Sequence, residues 1–289
     1  MRDDGGVMVV PGALGGVDSV RMGAFQTIGF VVLGVVVGGL GTLIGAGGGF
    51  VLLPILVFLY PHDPPAVLTA ISLSVVLANA TSGSIAYARM RRTDYRAGLL
   101  FSLAGLPGSV LGAHLTQRLD HGVFDPLLGC VLLLGAGIIL LQPQLERHAP
   151  CEAGTRTLVE SSGTTHRYSP RMGLGALLSV GVGFVSSLLG IGGGIIHVPL
   201  LVYVLGFPTH VSTATSHFVL ALLSFAAVIV HAHAGTLWPA LGRTLPLAAG
   251  VVIGAQAGAR LSSRLHGRWI MWGLAAALAS VGVRLLFLH

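Results

Sequence analysis

The sequence predicts an all-α, polytopic membrane protein. Only 9% of its 289 residues are charged and 53% are hydrophobic, and the mean hydropathy is +0.86. Soluble domains carry about 25% charged residues, so a water-soluble globule is excluded. A disordered chain would need low hydrophobicity and high charge. A membrane β-barrel would show alternating polar and apolar residues, whereas the apolar runs here are continuous.

Most of the apolar runs have about the 20 residues that a membrane helix needs. They cover 24–60, 66–88, 97–117, 123–141, 172–206, 213–232, 244–262 and 269–287. The first and fifth runs are too long for one helix, and a glycine cluster interrupts each of them. The predicted organisation is a disordered N-terminal lead (1–21), a first membrane repeat (22–141), a cytoplasmic linker (142–171) and a second membrane repeat (172–289).

The two membrane regions repeat each other. Residues 45–59 read GAGGGFVLLPILVFL and residues 190–204 read GIGGGIIHVPLLVYV, with seven of fifteen positions identical. Downstream, Thr69-Ala-Ile-Ser72 matches Thr213-Ala-Thr-Ser216, and a longer match relates 108–119 to 254–265. Three matches in the same order indicate an internal duplication.

Arginine residues occupy different loops in the two repeats. In the first repeat they follow the run 66–88, and in the second they lie at the end of the run 244–262 and after it. The residues concerned are Arg89, Arg91, Arg92 and Arg96 in the first repeat and Arg260, Arg264 and Arg268 in the second. Because positive charge marks cytoplasmic loops, the repeats are predicted to be inverted, as in many transporters, with both termini outside.

This orientation requires each of the two long runs to begin and end on one side of the membrane. Each run then forms either two short crossings or a re-entrant hairpin with the glycine cluster near its bend. The sequence leaves both arrangements open, so the protein has eight to ten membrane segments.

The glycine clusters 45–49 and 190–194 predict an anion-binding site. Each precedes an apolar helix, and the first N–H groups of a helix lack internal partners and attract anions. Inverted repeats would bring the two helix starts together. The predicted backbone donors are Gly47, Gly48, Gly49, Gly192, Gly193 and Gly194. The alternative is that these glycines only permit close helix packing.

Polar residues in the apolar runs also favour an anion. All ten acidic residues fall in loops, tails or helix ends, whereas cation carriers usually bury a carboxylate. Hydroxyl and imidazole groups occur near the clusters, and we add them to the substrate-binding set: Thr42, Ser72, Ser187, His197, Thr215, Ser216 and His217. The alternatives are hydroxyls bonded to their own helix and histidines that only pack.

Other function classes are weaker. Arginines that lie between apolar runs fit membrane topology better than nucleic-acid binding, and Cys130 and Cys151 fit neither a disulfide framework nor a metal site. We expect no cofactor, no metal and no catalytic residue. An intramembrane serine enzyme using Ser82-Gly83-Ser84 and an anion channel are the alternatives to a carrier.

The doubled G-x-G-G-G-x4-P motif, followed by T-A-I-S and T-A-T-S, resembles the TauE/SafE sulfite exporter family, also called TSUP transporters. The resemblance spans about residues 24–288. It implies a bacterial or archaeal inner-membrane carrier of sulfite, sulfoacetate or other organosulfonates. Two departures are Ala46 in the first cluster and His197 at a position that is usually aliphatic. The anion, the direction, the driving ion and a homodimeric state stay open.

Overall fold

The computed structural model describes residues 23–145, 156–262 and 268–287. The predicted N-terminal lead, 1–21, lies outside the described residues. The helices of the described part are α1 (Ala24–Ile44), α2 (Gly49–Leu59), α3 (Pro65–Arg89), α4 (Tyr95–Thr116), α5 (His121–Leu145), α6 (Met172–Leu189), α7 (Gly194–Pro199), α8 (Thr209–His233), α9 (Leu241–Leu261) and α10 (Arg268–Phe287). Seven described helices are long and apolar enough to cross a membrane, which confirms the predicted polytopic α-helical class.

The packing of the helices follows the internal repeat. Helix α1 packs along α9 and the matching helix α6 packs along α4, while α3 pairs with α8 and α5 with α10. The register is also matched. Gly254 lies against the carbonyl oxygen of Val35, and the equivalent Gly108 lies against that of Val180. A Cβ atom at either glycine would overlap that oxygen, so glycine allows both helix pairs to approach closely.

Helices α3 and α8 run in opposite directions. Gly83, near the end of α3, contacts His217, near the start of α8. Leu73, near the start of α3, shares a cluster with Ala227, near the end of α8. Since α3 and α8 are equivalent helices of the two repeats, this arrangement is inverted.

The helix ends define two faces. The hairpin face contains residues 89–95, 156–171 and 205–209, and the opposite face contains residues 60–64, 117–121 and 234–240. On the opposite face, the Arg243 guanidinium lies over the Tyr60 ring and pairs with Asp63 at 2.5 Å. The end of α9 packs beside the end of α3, so the two Arg-rich loops begin at the hairpin face.

The segment predicted as a plain linker contains more structure than expected. Helix α5 continues to Leu145, and strands β1 (Arg156–Val159) and β2 (Thr165–Tyr168) form an antiparallel hairpin. Gly163, with a φ of +86°, lies in the turn between them. The hairpin is not predictable from the sequence pattern, because two four-residue strands carry little periodic signal.

Each long apolar run forms one long helix and one short returning helix. Helix α1 ends at Gly45 in the left-handed region, and α2 begins after Gly48, with a φ of +81°. The matching residues, Gly190 and Gly193, do the same between α6 and α7. A left-handed backbone favours glycine, which explains why the breaks occur at the clusters.

Large apolar side chains cover the outside of the helix bundle. Leu103, Leu111 and Leu177 are each more than 60% exposed. Exposed apolar surface on this scale is a liability in water, whereas lipid is its natural environment. This surface agrees with the membrane class that the composition predicts.

Candidate functional site

The two glycine turns meet halfway between the faces. The first glycine turn is residues 45–48 and the second is residues 190–193. Gly47 and Gly192 both contact Val76 and Leu220, since a Cβ atom added at either glycine would lie 2.9–3.4 Å from their methyl groups. Val76 and Leu220 lie near the midpoints of the 25-residue helices α3 and α8. The turns therefore lie at the centre of the interface between the repeats.

Each turn packs against the helix start that follows the other turn. A Cβ atom on Gly49 would lie 2.8 Å from the Gly190 carbonyl oxygen, and one on Gly194 would lie 2.6 Å from the Gly45 carbonyl oxygen. These partners are backbone atoms that cannot move aside. Gly49 and Gly194 therefore permit the close packing of the two turns.

The matched serines of α3 and α8 tie the turns together. The Ser72 hydroxyl donates to the Gly190 carbonyl oxygen at 2.6 Å, and the Ser216 hydroxyl donates to the Gly45 carbonyl oxygen at 3.3 Å. Each serine thus binds the turn of the other repeat. The alternative of a bond to the serine's own helix does not hold for either of them.

Beside the first turn lies a polar group that the sequence analysis identified only in part. The Thr42 hydroxyl donates to Asn79 Oδ1 at 2.9 Å, and the Tyr87 hydroxyl donates to the Thr42 carbonyl oxygen at 2.8 Å. Asn79 and Tyr87 were missed. Asn79 is the only asparagine in the chain and lies inside an apolar run, which is the signal that could have identified it.

Beside the second turn the predicted hydroxyls are occupied. Ser187, the equivalent of Thr42, lies 2.8 Å from the Ser109 hydroxyl, which also donates to the Leu223 carbonyl oxygen. Thr215 lies away from the turns, because its hydroxyl accepts the backbone N–H of Asp94 at the hairpin face.

The two predicted histidines lie in different surroundings. His217 is fully buried next to the first polar group, with its ring edge-on to Tyr87 at 5.5 Å between centroids. His197 is also buried, but its ring packs edge-on against Phe101. Among the described residues, the Nε2 atom of neither ring has a hydrogen-bond partner. Of the two histidines, only His217 lies next to Thr42 and Asn79.

The start of α2 offers free hydrogen-bond donors. The N–H groups of Val51 and Leu52 both reach the Gly48 carbonyl oxygen. In the described part of the chain no backbone acceptor faces the N–H groups of Gly48, Gly49 or Phe50. Because these groups form the positive end of an eleven-residue helix, they can bind an oxyanion.

The described acidic residues stay near the faces. They are Asp63, Asp94, Asp120, Asp125 and Glu160, in loops or near helix starts. The remaining five, Asp3, Asp4, Asp18, Glu146 and Glu152, lie outside the described residues. At the depth of the glycine turns, no described carboxylate opposes an anion.

The hairpin is fixed to the hairpin face by buried charges. Arg92 Nε pairs with Glu160 Oε2 at 2.9 Å, and His166 Nε2 lies 2.8 Å from Glu160 Oε1. Burial by itself would raise the pKa of Glu160, but the hydrogen bonds from His166 and Arg92 outweigh it and lower the pKa. Glu160 therefore stays ionised at neutral pH.

A second set of contacts joins the hairpin to both repeats. Asp94 accepts from Arg156 at 2.7 Å and from the Tyr168 hydroxyl at 2.9 Å, and the Tyr168 ring packs on Phe207. Burial and the neighbouring Asp94 raise the pKa of Tyr168, so the phenol remains a donor. The hairpin thus bridges the α3–α4 loop and the segment after α7.

Comparison with known proteins identifies the family of the chain. The family described as "Sulfite exporter TauE/SafE" matches residues 30–285, which is most of the chain. The chain belongs to the TauE/SafE family.

Similar proteins include several probable membrane transporters. YunE of Bacillus subtilis is 30% identical over 267 residues, covering 89% of this chain and 96% of YunE. MJ0441 of Methanocaldococcus jannaschii is 27% identical over 71% of this chain and 72% of its own length. Protein y4hK of Sinorhizobium fredii is 29% identical over 76% of this chain and 81% of its own length. No solved structure matches the chain.

TauE/SafE membership makes this protein a multi-pass membrane transporter and not an enzyme. The serine of the enzyme alternative has a structural role. The Ser82 hydroxyl donates to the Val252 carbonyl oxygen at 3.0 Å and accepts from Gln256 Nε2 at 3.0 Å. These bonds join α3 to α9.

Proposed function

We propose that this TauE/SafE protein is a secondary transporter of small sulfur-containing anions such as sulfite, sulfoacetate or other organosulfonates. One observation carries the proposal: the two glycine turns meet at mid-depth between the repeats, with free donors and no described carboxylate nearby. Such a position suits alternating access, in which two halves rock about a central site.

The proposed binding region is the space around the two turns. Its backbone parts are Gly47–Gly49 and Gly192–Gly194, and its side chains are Thr42, Ser72, Ser187, His197, Ser216 and His217. Thr215, the remaining member of the predicted set, accepts the backbone N–H of Asp94 with its hydroxyl. Donors dominate this set, which favours an oxyanion over a cation.

The serine bonds suggest how the halves move. Ser72 and Ser216 each join a spanning helix of one repeat to the turn of the other. Rocking of one repeat against the other would stretch or exchange these two bonds. Because they are equivalent by the repeat, the inward-open and outward-open states can be related by exchange of the halves.

We also propose that the hairpin face is cytoplasmic in a bacterial or archaeal plasma membrane. Both Arg-rich loops begin at this face, as the positive-inside rule requires. Helix α1 runs parallel to α9 and α10 packs antiparallel to α5, with Gly129 against Gly282 and Leu286. Ala24 and Phe287 therefore lie at the opposite face, outside the cell.

Uptake by proteoliposomes tests the function. Purified protein that is monodisperse in detergent is reconstituted, and uptake of radiolabelled sulfite is measured against protein-free vesicles. We expect saturable uptake and counterflow, in which unlabelled sulfite inside the vesicles accelerates entry of the label. An anion channel would give flux that rises linearly with sulfite and no counterflow. No uptake of sulfite or of any sulfonate by folded protein would overturn the proposal.

A further inference from the structure

Several pairs of equivalent residues differ around the two glycine turns, and one of these differences replaces an amide by an aliphatic side chain. When the two repeats are aligned, Asn79 of α3 is equivalent to Leu223 of α8. Both side chains are buried. The first turn therefore has an amide beside it where the second turn has an aliphatic side chain.

The orientation of the Asn79 amide follows from its hydrogen bond with Thr42. Because the Thr42 hydroxyl donates to Oδ1, the Nδ2 group is directed elsewhere. A Cβ atom on Gly41 would lie 2.9 Å from Asn79 Nδ2 and 2.5 Å from Gly48 Cα. The amide nitrogen thus lies beside the first turn.

Asn79 Nδ2 is a buried donor without an acceptor. The residue is 0% exposed, and no described atom accepts from Nδ2. An amide nitrogen can only donate, and leaving it unpaired in a buried position is costly. A ligand with acceptor oxygens would satisfy it.

His217 Nε2 is a second buried polar atom for which the described residues supply no partner. A Cβ atom on Gly83 would lie 3.0 Å from His217 Nε2 and 3.3 Å from the Thr42 methyl group. Gly83 follows Asn79 by one helical turn and therefore lies on the same side of α3. The absence of a side chain at Gly83 leaves His217 next to Thr42 and Asn79.

We infer that the head group of the substrate binds only beside the first turn, on Asn79 Nδ2 and the N–H groups of Gly48, Gly49 and Phe50. The inference rests on the proposed function and narrows its substrate class. Val76 and Leu220 bound the space between the turns, and Leu223 replaces the amide in the second repeat. The site then selects an anion with one oxyanion head and at most a small apolar substituent, such as sulfite or methanesulfonate. Sulfoacetate has a second charged head, and taurine has an ammonium group, so both bind more weakly.

The variant N79L gives the first repeat the leucine that the second repeat has at the equivalent position, Leu223. We expect its KM for sulfite uptake to rise at least about tenfold, because one hydrogen bond to a charged group is lost. Without ligand, its Tm in detergent should stay close to that of the unaltered protein, because removal of the unpaired Nδ2 donor offsets the loss of the acceptor for the Thr42 hydroxyl. The Tm increase that sulfite causes should disappear. N79A replaces N79L if the leucine variant does not fold.

One control variant and a competition series complete the experiment. S109A, which alters the hydroxyl pair beside the second turn, should leave the KM for sulfite unchanged. Unlabelled methanesulfonate should compete with labelled sulfite more strongly than sulfoacetate or taurine. Unchanged KM and an unchanged sulfite-induced Tm increase in N79L would overturn the inference while the proposed function stands. Stronger competition by sulfoacetate than by methanesulfonate would also overturn it. Absence of uptake in the unaltered protein would instead remove the proposed function.

Discussion

The first and second glycine turns have the same backbone but different neighbours. Both have left-handed glycines, both pack against the start of the other short helix, and a serine from the other repeat binds each of them. The first turn lies beside Asn79, whereas the residue equivalent to Asn79 beside the second turn is Leu223. Duplication thus preserved the turn geometry, which depends on glycine, while the side chains around it diverged.

The glycines that follow the turns should be equally essential in both repeats. Alanine at Gly49 or Gly194 places a Cβ atom within 3 Å of backbone atoms of the other turn. We expect each variant to lose about 3 kcal/mol of stability, the upper end of overpacking costs. The yield of monodisperse protein and its Tm in detergent measure this loss.

The control for the glycine variants is G181A. A Cβ atom at Gly181 meets nothing within 4 Å, so this variant should fold normally. If G49A and G194A differed greatly in stability, the geometric equivalence of the turns would be wrong.

The hairpin is the main feature without a counterpart on the opposite face, and E160Q tests its contribution. The Glu160 side chain is 4% exposed. Removing its charge leaves Arg92 without its partner, and we expect a loss of about 2 kcal/mol at pH 7. The Glu160 pKa is lower in the folded state than in the unfolded chain, so its contribution is complete above about pH 4.3 and declines as the pH falls through the folded pKa. Thermal unfolding of E160Q and the unaltered protein, from pH 7 down to pH 3, measures the converging difference.

Two controls separate the hairpin pair from an ordinary surface pair. R92M/E160M removes both charges and should be more stable than E160Q, because no buried charge is left alone. D63N breaks the pair with Arg243 on the opposite face, where the Asp63 side chain is 31% exposed, and should cost about 0.5 kcal/mol. If the stability difference between E160Q and the unaltered protein grew as the pH fell, the lowered pKa assigned to Glu160 would be wrong.

The hydrogen bonds of the two matched serines should differ in their contribution to stability. Ser72 binds the second turn at 2.6 Å and Ser216 binds the first at 3.3 Å. We expect S72A to lower stability by about 1.5 kcal/mol and S216A by about 0.5 kcal/mol. Thermal unfolding in detergent compares them, with S280A as the control because the Ser280 hydroxyl is at an exposed position. Equal losses in S72A and S216A would show that this asymmetry does not influence stability.

The sequence predicted the helix breaks well and the hydrogen bonds poorly. Gly45 and Gly190 end helices because they favour left-handed backbone, which is a local property. By contrast, the Ser216 hydroxyl binds the Gly45 carbonyl oxygen across 171 residues of chain. Likewise, Asn79 accepts a hydrogen bond from Thr42, 37 residues earlier in the chain. The substrate-binding prediction for Thr215, His197 and the other residues of that set stays a prediction.

By itself, the sequence determined the membrane class, the duplication and the positions of the glycine turns. These depend on hydropathy, on recurring motifs and on the backbone freedom of glycine, all of which act over short stretches of chain. Only the tertiary structure decided that a hairpin joins both repeats at one face and that the unpaired amide lies beside one turn alone. Those features depend on contacts between helices that are distant in the chain, and a linear pattern does not encode the side chain that each residue will meet.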